Sequence, residues 1–243
     1  MAIILVCEGP SDARHLTAMV TAILREKVDW FEPEHCPFQG LTASDRFFPW
    51  TSVDQEHSRR FPKGFGVVPM GHFAGMPALP YARRARKTLQ VLAKENFDET
   101  DGFVLVCDED LHDSQRLDGL RQAREASSLK ARTAVGVAAP KIEAWILAGF
   151  DARSEQEKSR IISERDYLSL DPTREPHRLR DQAGAPRDIK RVLDVVTDAD
   201  HEREAEAASN LARIRLHGSE TGAIEFLSEC LERLAPLFDP TPT

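Results

Sequence analysis

The sequence has no apolar run long enough to form a transmembrane helix, and no basic segment precedes its first apolar stretch. We therefore expect a cytoplasmic protein without membrane contact. The four cysteines have no CxxC spacing, which indicates neither a zinc knuckle nor a disulfide framework. No GxxxxGKS or GxxxxGKT motif is present either, so the chain is not expected to hydrolyse nucleotides at a P-loop.

Positive charge is also scarce. The formal net charge is −8, from 32 Lys and Arg residues against 40 Asp and Glu residues. A uniformly basic nucleic-acid coat is therefore excluded, and contact with phosphate groups would need local basic patches or a bound metal ion. The length of 243 residues and the 41% hydrophobic composition fit one enlarged globular domain, or one domain with a helical appendage.

Two apolar runs of strand length each end abruptly in carboxylates. Residues 3–7 form the first run and residues 103–107 the second. Continuous apolar runs of this length are typical of buried parallel strands, whose carboxyl ends meet at one edge of a sheet. Both runs should therefore deliver acidic side chains to the same edge. The acids that follow them are Glu8, Asp12, Asp108 and Asp110.

The spacing of these acids predicts a cation site. Side chains alternate along a strand, so Asp108 and Asp110 project to one side and Glu109 to the other. If the two strands are neighbours where the strand order reverses, Glu8 converges with that pair. Crowded carboxylates repel one another unless a cation lies between them, and oxygen ligands suit Mg²⁺ or Mn²⁺. Such a site predicts phosphate chemistry, although acids at strand ends also occur for structural reasons.

The residues after Glu8 are expected to begin a helix. Gly9 would let the backbone turn sharply, Ser11 would be the N-cap and Asp12 would lie in the first turn. Apolar residues at helical spacing extend this helix over residues 12–28. The arrangement would hold Glu8 on a rigid strand end.

An apolar strand ending in Glu-Gly-x-x-Asp, followed about a hundred residues later by one ending in Asp-x-Asp, resembles the TOPRIM domain. That fold is a Rossmann-like α/β domain with a central, mostly parallel sheet flanked by helices, and the resemblance covers residues 1–150. It implies that Glu8 is a general acid/base or a metal ligand. It also implies that Asp108 and Asp110 bind metal, and Asp12, the last acid of the first motif, joins them as a candidate ligand.

A third apolar run, residues 133–138, leads into a helix at the same edge, with Lys141 and Glu143 in its first turns. Lys141 could neutralise charge that develops on a scissile phosphate. Glu143 could orient a ligand or hold a second metal, or it could simply be a helix N-terminal acid. We take both, with Glu8, as candidate catalytic residues.

The segment Ile-Glu-Ala-Trp-Ile-Leu after this run resembles small bacterial TOPRIM-like proteins related to the overcoming-lysogenization-defect (OLD) nucleases. That second resemblance implies a separate ATPase partner and a role in phage defence. It extends past residue 150, into a C-terminal region with helical periodicity.

Four cations lie in the first turns of a helix predicted over residues 81–95. Cations are unfavourable at a helix N-terminus, which favours a functional role in holding nucleic-acid phosphates. The alternative is a solvated charged face. These candidate nucleic-acid-binding residues are Arg83, Arg84, Arg86 and Lys87.

Two further regions complete the chain. Residues 30–69 form an irregular, aromatic-rich insertion, whose aromatic side chains either fold back as ordinary core or form a partner surface or lid. Residues 151–238 are expected to be a helical C-terminal extension packed on the α/β domain. Within it we predict one helix over residues 200–216, and Thr221 as the cap of the next helix.

Together these features favour a divalent-metal-dependent nuclease that hydrolyses DNA, in preference to RNA, as an effector of anti-phage defence with a separate ATPase. A topoisomerase would need a catalytic tyrosine with accessory domains, and a primase would need template-binding modules; such modules are not evident in the sequence. The alternative is a catalytically silent TOPRIM-fold adaptor that binds an ATPase partner. A homo-oligomer is compatible with both hypotheses.

Overall fold

The computed structural model describes residues 1–62, 72–73, 76–109, 115–180 and 182–238. Five strands in these ranges form one parallel sheet, and two short strands pair as a separate antiparallel hairpin. The sheet strands are β1 (Ile3–Cys7), β2 (Phe38–Gln39), β3 (Phe48–Pro49), β6 (Gly102–Asp108) and β7 (Thr133–Ala138), and the hairpin consists of β4 (His72–Phe73) and β5 (Met76–Pro77).

The strand order places a topological switch point in the middle of the sheet. The order is β2-β1-β6-β7, and β3 also lies beside β1. Val6 of β1 pairs with Leu105 of β6, and β6 pairs with β7 as far as Asp108 and Ala138. The chain thus moves from β1 first to β2 and β3, and later to β6 and β7 on the opposite side. Ligands of open α/β sheets bind at such a reversal, here between β1 and β6.

Ten α-helices lie within the described ranges. None of them is long and apolar enough to cross a membrane. They are α1 (Pro10–Arg25), α2 (Val53–Arg60), α3 (Ala82–Lys94), α4 (Arg116–Glu125), α5 (Ile142–Gly149), α6 (Glu155–Leu168), α7 (Ile189–Thr197), α8 (His201–Ser209), α9 (Leu211–His217) and α10 (Ala223–Arg233).

Helices cover both faces of the sheet, which explains why the strands are apolar without alternation. Ile3 and Leu5 of β1 belong to a core shared with α1 and α10. Ile4 and Val6 belong to the core of the opposite face, with α3 and α4. Two covered faces are typical of parallel sheets. The prediction of an α/β fold with a mostly parallel central sheet flanked by helices is therefore confirmed.

The residues after 150 divide between two packing environments. Helices α6, α7 and α8 pack with α5 in a separate apolar cluster that includes Phe150 and Val192. Helix α10 instead returns to the sheet, where the ring of Phe226 stacks on Trp145 with centroids 5.0 Å apart. The C-terminal extension therefore packs on the α/β part, and its last helix covers one face of the sheet.

Two helix boundaries in this extension differ from the prediction. The single helix expected over residues 200–216 is two helices, α8 and α9, because the chain breaks at Asn210 and the Asn210 side chain caps α9. The N-cap of α10 is Gly222, with a φ of 79°, rather than Thr221. A left-handed residue at that position suits glycine. The Thr221 hydroxyl still accepts the backbone N–H of Ala223, the first residue of α10, at 3.4 Å, and it donates to the carbonyl of Gly218 at 2.7 Å.

The aromatic segment over residues 30–69 contributes mainly to the core. Phe31, Phe48 and Trp50 are each at most 2% exposed, whereas Trp30 is 55% exposed. The segment also supplies β2 and β3, which extend the sheet beyond β1. Its last part, residues 63–69, lies outside the described ranges.

Candidate functional site

Glu8 directly follows one strand of the sheet, and Asp108 is the last residue of the neighbouring strand. β1 ends at Cys7 and is hydrogen-bonded to β6, which ends at Asp108. The adjacency that the predicted acidic site requires is therefore present. Glu8 is exposed, whereas Asp108 is only 5% exposed. Asp110, predicted as a further ligand, lies outside the described residues.

Asp12 organises the turn between β1 and α1. Its Oδ2 accepts the backbone N–H groups of Glu8 and Gly9, each at 3.1 Å. This contact makes Gly9 the N-cap, so the cap predicted at Ser11 is wrong. Gly9 has an extended backbone with a φ of −154°, which any residue adopts, and a Cβ there would meet no atom of the described residues within 4 Å. The predicted need for glycine at this turn is wrong as well, and no described residue fills the space next to Gly9.

The Asp108 carboxylate is held by the N-terminus of α5. Its Oδ1 accepts the backbone N–H of Ile142 at 3.1 Å. Its Oδ2 lies 3.1 Å from the Nζ of Lys141, which is the N-cap of α5 and is 8% exposed. Arg116 of α4 donates to the backbone carbonyl of Asp108. The structure thus brings Lys141 and Asp108 together, and the same contact gives Asp108 a structural role as a helix cap.

The surroundings of Asp108 oppose its ionisation. Burial raises the pKa of Asp108 to about 8, and the negative charge of Glu8 adds to this rise. The ammonium group of Lys141 acts in the opposite direction, while Glu143 and Asp12 raise the pKa further. These acids therefore share one electrostatic environment, and a cation among them would favour their ionised forms.

Glu143 is the second buried acid of this group. It is 5% exposed, and its Oε2 has no hydrogen-bond partner in the part of the chain that the structure describes. Its Oε1 lies 3.8 Å from the Nζ of Lys190 on α7. Burial raises the pKa of Glu143, and the positive charge of Lys190 counteracts part of this effect. A buried carboxylate oxygen without a donor is suited to a cation or to a ligand donor.

The donor set fits a hard divalent cation but does not complete a site for one. The candidate ligands are carboxylate oxygens, which Mg²⁺ and Mn²⁺ prefer. Within the described ranges, however, no three His, Cys, Asp or Glu side chains converge closely enough to hold a metal ion. Both oxygens of Asp108 already contact the N-terminus of α5. A cation at Asp108 would therefore take the place of the Lys141 ammonium group.

Two buried thiols lie beside these acids. Cys7 and Cys107 are each 1% exposed, and burial raises the pKa of both thiols above the usual range. A thiol that stays protonated is neither a nucleophile nor a metal ligand. Both cysteines pack as small hydrophobic residues in the cores on the two faces of the sheet.

The candidate nucleic-acid-binding residues lie on α3, and most of them contact other parts of the chain. Arg84 donates to a backbone carbonyl, the Arg86 guanidinium lies over an aromatic ring, and Lys87 forms an ion pair. Arg83 has an exposed side chain. The contact of this helix with phosphates stays a prediction, for which Arg83 is the most accessible residue of the four.

Sequence reasoning missed two charged residues that reach the site. Arg116 contacts the backbone at Asp108, and Lys190 approaches Glu143. Lys190 lies on a helix that is remote in sequence from Glu143, whereas Arg116 lies on α4, the next helix after β6 in the described ranges. Lys190 is visible in the sequence only as part of a basic stretch, and no motif links either residue to the acidic motifs.

The fold and the site define a class: a doubly wound, parallel α/β protein with acidic side chains at its switch point. No protein-family model matches this chain, and no curated protein or solved structure matches it. The resemblance to the TOPRIM domain therefore depends on the motif residues alone and stays a prediction.

Proposed function

We propose that the protein is a divalent-metal-dependent nuclease of the TOPRIM type. The observation that carries the proposal is the buried carboxylate of Asp108 at the switch point, with Glu8, Asp12 and Glu143 close enough to influence its ionisation and Lys141 on one of its oxygens. Buried carboxylates that repel one another lower the stability of a fold, and such groups are concentrated at functional sites. A cation bound by these acids offsets the repulsion.

Each residue has a defined role in this proposal. Glu8 and Asp108 would bind Mg²⁺ or Mn²⁺, and Asp110 is a further candidate ligand. The bound ion would lower the pKa of a water molecule and act as a Lewis acid toward a phosphodiester. Lys141, released from Asp108, would contact the scissile phosphate, and Glu143 would orient the attacking water. Asp12 would hold the backbone that carries Glu8.

The wider setting is also part of the proposal. DNA is the favoured substrate over RNA, and Arg83 would contact its phosphates from α3. The sequence resemblance to OLD-type nucleases supports a role in anti-phage defence, in the cytoplasm, with a separate ATPase. The net charge of −8 supports a need for such a partner, since the chain has little general affinity for nucleic acid.

The decisive experiment compares two buried aspartates of the same strand region. Asp108 and Asp101 are both 5% exposed, but Asp101 precedes the other end of β6, where it accepts the backbone N–H of Ala2 at 2.6 Å. Supercoiled plasmid and total RNA are incubated with wild type, Asp108→Asn and Asp101→Asn in Mg²⁺, Mn²⁺ or EDTA. We expect metal-dependent cleavage by wild type and by folded Asp101→Asn, and none by Asp108→Asn. Cleavage by Asp108→Asn, or in EDTA, would contradict the proposal.

A second candidate function is a catalytically silent adaptor that binds an ATPase. The observation that favours it is that α5 already satisfies both oxygens of Asp108, while no three potential ligands converge in the described ranges. The two hypotheses differ in metal binding. Titration of Mn²⁺ into wild type, followed by the electron paramagnetic resonance signal of free Mn²⁺, shows uptake for a nuclease and none for this adaptor.

A further inference from the structure

Tyr81 has a left-handed backbone, although it is not glycine. Its φ is 65° and its ψ is −15°, and it is the N-cap of α3. Side chains with a Cβ adopt this region at a cost in free energy, and such residues persist only where the surrounding structure enforces the conformation. They are concentrated at functional sites.

Helix α4 enforces this turn from one side. Gln122 accepts the backbone N–H of Leu79 at 2.9 Å and donates to the carbonyl of Pro77 at 2.9 Å. Gly119 of α4 approaches so closely that a Cβ there would lie 1.8 Å from the carbonyl oxygen of Pro80. The chain just before Tyr81 is therefore clamped against α4.

The clamp places the Tyr81 ring beside two side chains that bind the end of β6. The guanidinium of Arg116 lies 4.6 Å from the centre of the Tyr81 ring and donates to the carbonyl of Asp108. The ring of Trp50 meets Tyr81 edge-on at 5.4 Å, and its Nε1 donates to the carbonyl of Val106 at 2.6 Å. Both carbonyls follow Leu105, the last residue of β6 that pairs with β1. β7 pairs with β6 as far as Asp108, and beyond Leu105 these side chains bind the carbonyls of β6 that β1 no longer reaches.

The tyrosine also lies within electrostatic reach of the acids. Burial raises the pKa of Tyr81 to about 12, and the negative charge of Glu8 contributes to the rise, while Arg84 and Arg116 oppose it. The ring thus contacts a cation that is bound to the Asp108 backbone, and the charge of Glu8, which follows the neighbouring strand, acts on the tyrosine hydroxyl.

We infer that Tyr81 and Arg116 are positioning residues, which together fix the carboxyl end of β6 and so set the place of Asp108 relative to Glu8. The strained turn is retained because it presents the aromatic face to the Arg116 guanidinium. The inference rests on the proposed metal-dependent function, because the position of Asp108 matters for ligand binding only if Asp108 is a ligand.

The test uses the two tyrosines of the chain. Tyr81→Asn removes the ring but keeps a residue that tolerates a left-handed backbone, and Tyr81→Phe keeps the ring. Tyr167→Asn is the matched control, because Tyr167 also has an arginine over its ring, that of Arg191 at 5.6 Å, yet lies on α6. For each variant, Mn²⁺ affinity is measured by electron paramagnetic resonance. Hydrogen exchange of the amides of residues 106–109 is followed without metal.

We expect Tyr81→Asn to weaken Mn²⁺ binding at least tenfold and to accelerate exchange at residues 106–109. Tyr81→Phe and Tyr167→Asn should stay within twofold of wild type in both measurements. Arg116→Lys, which keeps the charge but loses the planar fork, should weaken Mn²⁺ binding similarly, and it serves as the test if Tyr81→Asn does not fold.

The possible failures are distinguishable. In one outcome, wild type binds Mn²⁺, and the folded variants Tyr81→Asn and Arg116→Lys bind it with an affinity within twofold of wild type. That result overturns the positioning inference and leaves the proposed function standing. If Tyr167→Asn weakens binding as much as Tyr81→Asn, the effect is not specific to this turn and the inference is overturned. If wild type binds no Mn²⁺, the proposed function is overturned, and the inference with it.

Discussion

Asp108 caps helix α5 through its contact with Ile142: the carboxylate Oδ1 accepts the first backbone N–H of the helix at 3.1 Å. The same carboxylate is the proposed metal ligand. A single side chain thus joins the end of β6 to the start of α5 and occupies the switch point of the sheet. The Asp108 side chain therefore affects both the stability of the fold and the proposed binding of metal. Mutations at this position can measure the two effects separately.

The first prediction concerns the pH dependence of stability. Burial raises the pKa of Asp108 to about 8, from an ordinary value of 3.8. The folded protein therefore binds a proton that the unfolded chain releases, so Asp108 lowers stability progressively as pH rises from about 4 to about 8. Asp108→Asn has no such proton and keeps an acceptor for Ile142. In EDTA, we expect it to gain at least ~1 kcal/mol over wild type between pH 5 and pH 9, about 2 to 4 °C in Tm.

Thermal unfolding by circular dichroism across this pH range checks the prediction. Asp101→Asn serves as the control for a buried aspartate of equal exposure. A difference between wild type and Asp108→Asn that does not change with pH would show that Asp108 is ionised in the folded protein at every pH tested.

A second prediction contrasts two glycines. Gly9 has an extended backbone, and no described residue lies within 4 Å of its Cβ position, so Gly9→Ala should change stability by no more than ~1 kcal/mol, because the lower entropy of the unfolded chain offsets the weaker capping by alanine. Gly222 has a φ of +79°, and a Cβ there would lie 2.1 Å from the carbonyl oxygen of Val137. Gly222→Ala should lower stability by at least ~2 kcal/mol. Urea unfolding measures both. Loss of cleavage in a fully stable Gly9→Ala would assign the space next to Gly9 to the substrate.

Asp12 gives a third prediction. Its Oδ2 accepts the amides of Glu8 and Gly9, so Asp12→Ala should lower stability by about 1 kcal/mol through loss of this cap. Asp12→Asn keeps a side-chain oxygen and should lose less. If Asp12 acts through the backbone rather than as a ligand, Asp12→Asn should weaken Mn²⁺ binding by only a few fold, far less than Asp108→Asn. Equal losses in the two variants would identify Asp12 as a ligand.

The fourth prediction lies outside the site, at the contact between α1 and α8. Glu204 is 3% exposed, and its Oε2 lies 2.9 Å from His15 Nε2, 3.2 Å from His201 Nδ1 and 3.0 Å from Arg14. Burial alone would raise the pKa of Glu204, but hydrogen bonds from His15, His201 and Arg14 outweigh it and lower the pKa to about 2. The carboxylate therefore stabilises the fold above its ordinary pKa of 4.5, and this contribution is lost as pH falls from about 4.5 to about 2.

We expect Glu204→Gln to be ~1 to 2 kcal/mol less stable than wild type at pH 7. The value is reduced from the full linkage energy because the Arg14 side chain is 36% exposed and solvent screens the pair. The gap should narrow as pH falls from about 4.5 and should be almost closed at about pH 2. Acid unfolding monitored by tryptophan fluorescence follows it, and a gap that persists at pH 2 would contradict the assigned pKa.

The strands and their carboxylates could be predicted because each signal is local. Uninterrupted apolar runs fix residues 3–7, 103–107 and 133–138 as buried strands, and the acids at their ends follow in the sequence. Lys141 follows the third apolar run, residues 133–138. Because that strand lies beside β6 in the sheet, Lys141 reaches Asp108.

The remaining contacts depend on tertiary packing and leave no local trace. Lys190 reaches Glu143 because α7 packs on α5, and Arg116, eight residues after Asp108, binds its backbone carbonyl in a contact that no motif predicts. Capping was also mispredicted, at Ser11. Helix α1 begins at Pro10, so Ser11 already lies inside its first turn, and the Asp12 side chain accepts the N–H groups of Glu8 and Gly9.

The return of α10 to the sheet has a consequence for how the chain is made. A ribosome releases β1 first, yet the face of the sheet under Phe226 and Leu227 stays uncovered until residues 223–233 have emerged. Trp145 likewise waits for the carbonyl of Thr221, to which its Nε1 donates at 2.6 Å. The α/β part therefore cannot complete its core before residues 223–233 are available, and a fragment cut at residue 150 would carry an exposed apolar face rather than a separable domain.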